Sequence, residues 1–241
     1  VSSQVVGSVM LQTNPGRMEI MDTDQVVVFI HGLGESPDAW SHQIVSLPQG
    51  FSGIAVNIPG LTAAAPSTGF SLDVAAADVL SLLDRRGIDS AHLCGLSLGA
   101  MVAFRIAADR PDRVRSLTMA AGQVKPPRIP MAIQNAIMRV LPEKLVSSEN
   151  ASKAQMLDVL RTVAATDFSD ELPTITVPTL VLCGAWDPAN RPAARQLATN
   201  IPGATLQIIG GAGHQSNIQA PERFSAALNN FLAPLSTSHG G

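Results

Sequence analysis

The chain alternates short, wholly apolar runs with longer stretches whose apolar residues recur at helical spacing. The first clear run is Val26-Val27-Val28-Phe29-Ile30, β-branched and aromatic throughout. Strands without polar alternation belong in parallel sheets that helices cover on both faces. Comparable runs follow at Gly53–Ile58, Ala91–Cys94, Ser116–Met119, Pro178–Cys183 and Thr205–Ile209. Between them, Leu72–Arg86 reads as an amphipathic helix stopped by Gly87, and alanine-rich Leu98–Ala108 closes before Pro111. Ala193–Thr199 and Pro221–Leu232 are shorter amphipathic segments. This alternation predicts a doubly wound α/β domain. Ahead of it, Ser8–Thr13 and Arg17–Met21 flank Asn14-Pro15-Gly16, which predicts a hairpin.

One region breaks the pattern. The 55 residues from 123 to 177 far exceed an ordinary connection of about 2–6 residues between strand and helix. Two helical stretches are expected inside it, Met131–Leu141 and Ala151–Ala165. Met131 and Met138 fall on one face, as do Met156 and Leu160. The region reads as a helical insertion whose methionines fill its contact with the body, as a lid over a pocket, or as both at once. In a lid, Met131 and Met138 become pocket residues, because unbranched thioethers adapt to a substrate of loose shape. Pro126, Pro127, Pro130, Pro173 and Pro178 punctuate its ends. The expected division is a body of residues 1–122 and 178–235 and an insertion of residues 123–177. The small polar tail, 236–241, is expected to be disordered.

Composition narrows the class. With 241 residues, 46% apolar and 15% charged, the chain can bury a core, which excludes a disordered protein. A net charge of −3 leaves no basic footprint for nucleic acid. Aromatics are 4% and tyrosine is absent, so no stacking platform for single strands exists either. No apolar run approaches the ~20 residues of a membrane span, and Val1–Gly7 lacks the opening of a secretory signal. The expected location is cytoplasmic, without nucleic-acid or membrane partners. No heptad pattern points to a particular oligomer. The glycines of Gly210–Gly213 match neither dinucleotide nor phosphate-loop fingerprints, and no His/Cys/Asp set has metal spacing, so no cofactor and no metal are expected.

The chemistry concentrates at Gly95-Leu96-Ser97-Leu98-Gly99, between a strand-like run and a helix-like run. In that context G-x-S-x-G forces a sharp turn that presents the serine at the carboxyl end of a sheet. The following helix start aims backbone N–H groups at a developing oxyanion. Serine needs a base. Of His31, His42, His92, His214 and His239, only His214 stands among glycines on a loop after the last strand-like run. The base needs an acid to fix its tautomer. Asp187 follows Pro178–Gly184 directly, and the order Ser97, Asp187, His214 is the one this chemistry takes on α/β sheets. The plainer reading of Asp187 is a turn or capping carboxylate. No acid stands in Ala120–Val124 to compete with it. Oxyanion donors are expected from the N–H groups of Leu98 and of Leu33, within His31-Gly32-Leu33-Gly34. Gly32 and Gly34 would let that loop approach the substrate, while His31 is expected to bond backbone. Trp186 is either a pocket wall beside the acid or, the reading favoured here, a buried anchor.

These motifs resemble the α/β-hydrolase superfamily over nearly the whole chain: His31–Gly34 with Trp40, Gly95–Gly99, Pro178–Asp187 and Gly211–Phe231. Gly213–Phe224 resembles the branch holding 3-oxoadipate enol-lactonases, small carboxylesterases, cofactor-free haloperoxidases and C–C bond hydrolases. The resemblance implies an eight-stranded, mostly parallel sheet, a helical cap after strand six and no cofactor. In that strand order Cys94 and Cys183 lie two strand spacings apart, ~10 Å, too far to bond. The chain departs from relatives at Asn57-Ile58-Pro59-Gly60-Leu61-Thr62, where many carry Asp-x-x-Gly-x-Gly-x-Ser. It also departs at Gly184-Ala185-Trp186-Asp187, which lacks an acidic neighbour before the Asp.

A serine nucleophile implies attack at an acyl carbon rather than displacement at saturated carbon. The expected function is hydrolysis of carboxylic esters or lactones of small to medium apolar acyl compounds. The alternatives are C–C hydrolysis of a vinylogous diketone by the same residues and a non-catalytic ligand receptor on the same fold.

Overall fold

The computed structural model describes residues 25–58, 69–126, 136–143 and 151–236. The predicted hairpin at 8–21, the departing loop from Pro59 to Thr62, Met131 and the tail from residue 237 lie outside them.

Among the described residues, six strands form one parallel sheet, where the resemblance implied eight: β1 (Gln25–Ile30), β2 (Phe51–Val56), β3 (Ala91–Leu96), β4 (Val114–Ala120), β5 (Thr179–Gly184) and β6 (Thr205–Ile209). Their order is β2-β1-β3-β4-β5-β6. All six apolar runs are strands, displaced by at most two residues at most ends. β3 extends through Gly95 and Leu96 to the serine itself. The helices are α1 (Ser41–Val45), α2 (Leu72–Arg85), α3 (Leu98–Asp109), α4 (Lys153–Ala165), α5 (Arg191–Asn200), α6 (Ser216–Gln219) and α7 (Pro221–Leu232). The sequence-predicted stretch Met131–Leu141 is helical at 136–140 among its described residues. No helix among the described residues is long and apolar enough to cross a membrane.

Alternating strand residues feed two cores. Val26, Val28 and Ile30 of β1 join α2, α3 and α5 on one face. Val27 and Phe29 join Trp40, Ile44 of α1 and Phe224 and Leu228 of α7 on the other. Trp40 is fully buried between Phe29 and Phe224, with ring centroids 5.1 and 5.7 Å away. Cys94 and Cys183 are free and buried, on strands separated by β4 and in different cores.

The insertion leaves the body and returns to it at one place. Phe168 N–H donates to Val124 O at 3.0 Å, and Lys125 Nζ lies 2.6 Å from Asp167 Oδ2. That ammonium and Ser169 hold the exposed Asp167 carboxyl down to about 2. Phe168 stacks on Phe104 at 4.8 Å, and Phe168, Leu172, Ile175 and Val177 belong to the body's larger core. Residues 168–177, on the approach to β5, therefore pack as body. α4 starts at a capping box between Ser152 and Gln155, which satisfies donors that a helix start leaves open. It is tied down by Asp158, which accepts from Phe70 N–H at 2.8 Å, and by Thr162, which donates to Phe70 O at 3.1 Å.

Strand order reverses between β1 and β3, with β2 to one side and β4 to the other. In open parallel sheets the crevice at such a reversal, beyond the carboxyl ends of the strands, is where ligands bind. The loop His31–Gly34 and Ser97 flank that crevice.

Candidate active site

Ser97 occupies the one-residue joint between β3 and α3, with φ 54° and ψ −113°. A non-glycine residue held there costs about 1–3 kcal/mol, so its surroundings must impose the conformation. Ser97 N–H donates to Ala120 O at 2.8 Å, while its own carbonyl accepts from Ala100 and Met101 N–H. Ala121, the other described non-glycine residue at positive φ, donates to Leu182 O at 2.9 Å. The flanking glycines are a steric requirement. A Cβ on Gly99 would strike the Ile30 carbonyl, and one on Gly95 would strike the Gly99 backbone. Strand, elbow and helix therefore close on one another only with glycine at both places.

His214 follows β6 and brings Nε2 to 3.0 Å from Ser97 Oγ. Its Nδ1 lies 3.0 Å from Asp187 Oδ2. A carboxylate only accepts, so Nδ1 carries the proton and Nε2 is free to accept from the serine hydroxyl. The two loops are locked together beneath this contact. Gly184 packs so closely on residues 212–213 that a Cβ would strike the Gly213 carbonyl, and Trp186 N–H donates to Ala212 O at 2.8 Å. Asp187 and His214 are thus carried by two loops that share one close-packed joint. Asp187 is 5% exposed, whereas the His214 side chain is 47% exposed. Asp187 faces His214, and its Oδ1 also accepts from Asn190 N–H at 3.3 Å before α5.

The loop after β1 provides the opposite wall. Gly34 takes φ 80°, a conformation that suits glycine. Gly32 N–H is committed to Glu35 Oε2 at 3.0 Å. The N–H groups of Leu33 and Leu98, the expected oxyanion donors, have no hydrogen-bond partner among the described residues. His31 is buried and structural, as expected. Its Nδ1–H donates to Gly32 O at 2.7 Å and its Nε2 accepts from Ile58 N–H at 3.3 Å. Burial pushes its pKa below the usual 6.5, in keeping with that neutral tautomer. His92 bonds Ser116 and Gln25, and His42 bonds Ser225, so neither serves the site. Burial, aided by Asp187, raises the Cys183 thiol to about 11, which keeps it from competing as a nucleophile.

Trp186 corrects the sequence reading that favoured a buried anchor. Its backbone holds the acid loop, but its side chain is 73% exposed. Trp40 is the buried indole. Met138 is half-buried and, with Met156, Ala151, Leu141 and Leu33, forms a small apolar cluster over the loop after β1. The insertion thus touches the expected oxyanion wall.

Three residues escaped the sequence reading. Glu35 Oε1 accepts from Gln215 Nε2 at 2.7 Å, so Glu35 ties the loop after β1 to the residue beside His214. Asn190 and Gln123 bond behind Asp187. Each is a polar residue in a loop, and only three-dimensional proximity separates it from an ordinary cap or turn.

Comparison with known proteins agrees with this architecture. The sequence profile described as "Alpha/beta hydrolase family" matches residues 27–227. The chain is 29% identical to "Putative carbamate hydrolase RutD" of Caulobacter sp. (strain K31), over 87% of this chain and 91% of that protein. It is 25% identical to a 2-hydroxy-6-oxononadienedioate/2-hydroxy-6-oxononatrienedioate hydrolase of Pseudomonas sp., over 87% and 88%. The crystal structure of the enol-lactonase from Burkholderia xenovorans LB400 superposes with a TM-score of 0.75 at 25% identity, covering 87% of this chain and 92% of that one. With the profile spanning most of the chain and the fold and site geometry in agreement, this protein belongs to the alpha/beta hydrolase family.

Proposed function

We propose that the protein is a serine hydrolase that cleaves carboxylic ester or lactone bonds of small to medium apolar acyl compounds. The observation that carries the reading is the continuous contact from Ser97 Oγ through His214 to buried Asp187, with both links at 3.0 Å. In this reading Ser97 Oγ attacks the acyl carbon while His214 Nε2 takes its proton. Asp187 stabilises the imidazolium that results. The N–H groups of Leu33 and Leu98 receive the oxyanion. His214 then protonates the leaving alcohol, the acyl-enzyme forms, and water activated by the same imidazole releases the acid. A serine suits lactone and carbamate carbonyls equally, which fits the names of the relatives. The methionine-rich cluster beside Leu33 supports an apolar acyl group. Arg139 and Arg161 of the insertion are exposed, and Arg161 faces Asp158 at 3.6 Å, so neither favours a dicarboxylate.

Fluorophosphonate labelling of wild type and Ser97→Ala, read by peptide mass spectrometry, tests the nucleophile. The expected result is one adduct, on Ser97, and turnover of short aryl esters and lactones that Ser97→Ala loses. Full hydrolysis by Ser97→Ala, or no adduct on folded wild type, overturns the reading. The second outcome favours a receptor on this fold. Turnover confined to vinylogous diketones would reassign the same residues to C–C hydrolysis.

A further inference from the structure

Behind the acid lies a buried amide relay whose direction the carboxylate dictates. Asn190 is 6% exposed, and its Nδ2 lies 2.9 and 2.8 Å from the two oxygens of Asp187. Its 3.0 Å approach to His214 Nδ1 is a contact between two donors that converge on the same carboxylate, not a hydrogen bond between them. Asp187 can only accept, which obliges Asn190 to present nitrogen to it and turn Oδ1 away. That oxygen accepts from Gln123 Nε2 at 2.6 Å. Gln123 stands just beyond β4, in the segment where the sequence offers no competing acid. The chain of donors therefore runs Gln123 to Asn190 to Asp187, and it joins the ends of β4 and β5.

We propose that Asn190, held by Gln123, is a positioning residue for the reaction: it fixes the plane of the Asp187 carboxylate so that Oδ2 meets His214 Nδ1–H. Without its side chain, Asp187 keeps His214 Nδ1–H on Oδ2 and one long backbone donor, Asn190 N–H at 3.3 Å on Oδ1, and no other donor among the described residues spans both oxygens as Asn190 Nδ2 does. A carboxylate free to rotate lets the imidazole leave its alignment with Ser97. The loss falls on the chemical step and not on substrate contact, because neither amide reaches the loop after β1. This inference rests on the triad reading above.

The test is a double-mutant cycle on a short aryl ester, with thermal unfolding alongside. Asn190→Ala is expected to lower kcat about tenfold with KM within about twofold. Gln123→Ala, at a half-exposed residue, is expected to lower kcat about threefold, and to add nothing in the Asn190→Ala background. Asn190→Asp keeps the shape but sets a second acceptor against Asp187, and a loss near a hundredfold is expected. Wild-type kcat in Asn190→Ala, or additive effects of the two alanines, overturns the proposal. If the Asn190 variants fail to fold, Gln123→Ala and the isosteric Gln123→Glu decide it: a fall in kcat at constant KM supports the relay and an unchanged kcat ends it. Ser97→Ala separates the two readings. If it loses hydrolysis while Asn190→Ala does not, only the relay fails; if it keeps hydrolysis, the triad reading fails first.

Discussion

The loop after β5 and the insertion between β4 and β5 both reach the carboxyl edge of the sheet, and they are held there in different ways. The loop is fixed by backbone and buried polar contacts that admit one arrangement. Gly184 touches the Gly213 carbonyl, Trp186 N–H reaches Ala212, and Asp187 is gripped by Asn190 and His214. The insertion meets the site through Met138, Met156, Ala151 and Leu141 against Leu33, side chains with no directional bond between them. Directional contacts specify where a proton moves. Dispersion between flexible thioethers specifies only that the neighbour be apolar. Under the proposed function, that difference predicts a narrowly defined chemistry and a broadly defined acyl substrate.

The largest effect that sharpens this contrast is on the acid. Asp187→Asn should preserve the fold and lower kcat for aryl esters about 10⁴-fold by stabilising the wrong imidazole tautomer. Steady-state kinetics checks it, and a loss below about tenfold would mean that the loop's rigidity is irrelevant to turnover. Next come the close approaches. Gly99→Ala or Gly184→Ala should destabilise the protein by about 3 kcal/mol or more in urea unfolding, because the added carbon meets backbone that cannot move aside. In the insertion, Met138→Ala should leave kcat for acetyl esters nearly unchanged. It should raise KM for longer acyl chains by about tenfold, the scale of one or two methylene contacts. The smallest effect is at Trp186, where alanine should change stability by less than about 0.5 kcal/mol, since the indole is exposed.

His31 adds a pH dependence to the same contrast. Its folded pKa lies below 6.5, so the unfolded chain binds the proton more readily. Stability from this group is present above pH 6.5 and is lost as the pH falls toward the lower folded value. Urea midpoints on either side of that pH should show the decline, and His31→Asn should flatten it.

Features that depend on near neighbours in the chain were legible in the sequence. The strands declared themselves by continuous β-branched runs, and Ser97 by two glycines at fixed spacing. Asp187 and His214 were legible because loops at the carboxyl ends of parallel strands must share one edge. What failed was local as well: Trp186 and Trp40 are alike in sequence, and only the direction in which each backbone turns sends one indole into the core and the other into water. Asn190, Gln123 and Glu35 were invisible for the complementary reason. A small polar residue in a loop signals a cap or a turn, and its partner across a strand joint leaves no periodic mark.

The sequence by itself determined the sheet, the elbow and the chain order of Ser97, Asp187 and His214, because backbone sterics and hydrophobic periodicity act between residues a few places apart. The tertiary structure alone decided that Gln123 and Asn190 stand behind the acid, that Glu35 bridges two loops, and that the insertion rests on Leu33. The contacts of Gln123 with Asn190, of Glu35 with Gln215 and of the insertion with Leu33 join residues tens to hundreds of places apart, and their free energies depend on distances of a few ångströms that only the packed sheet sets.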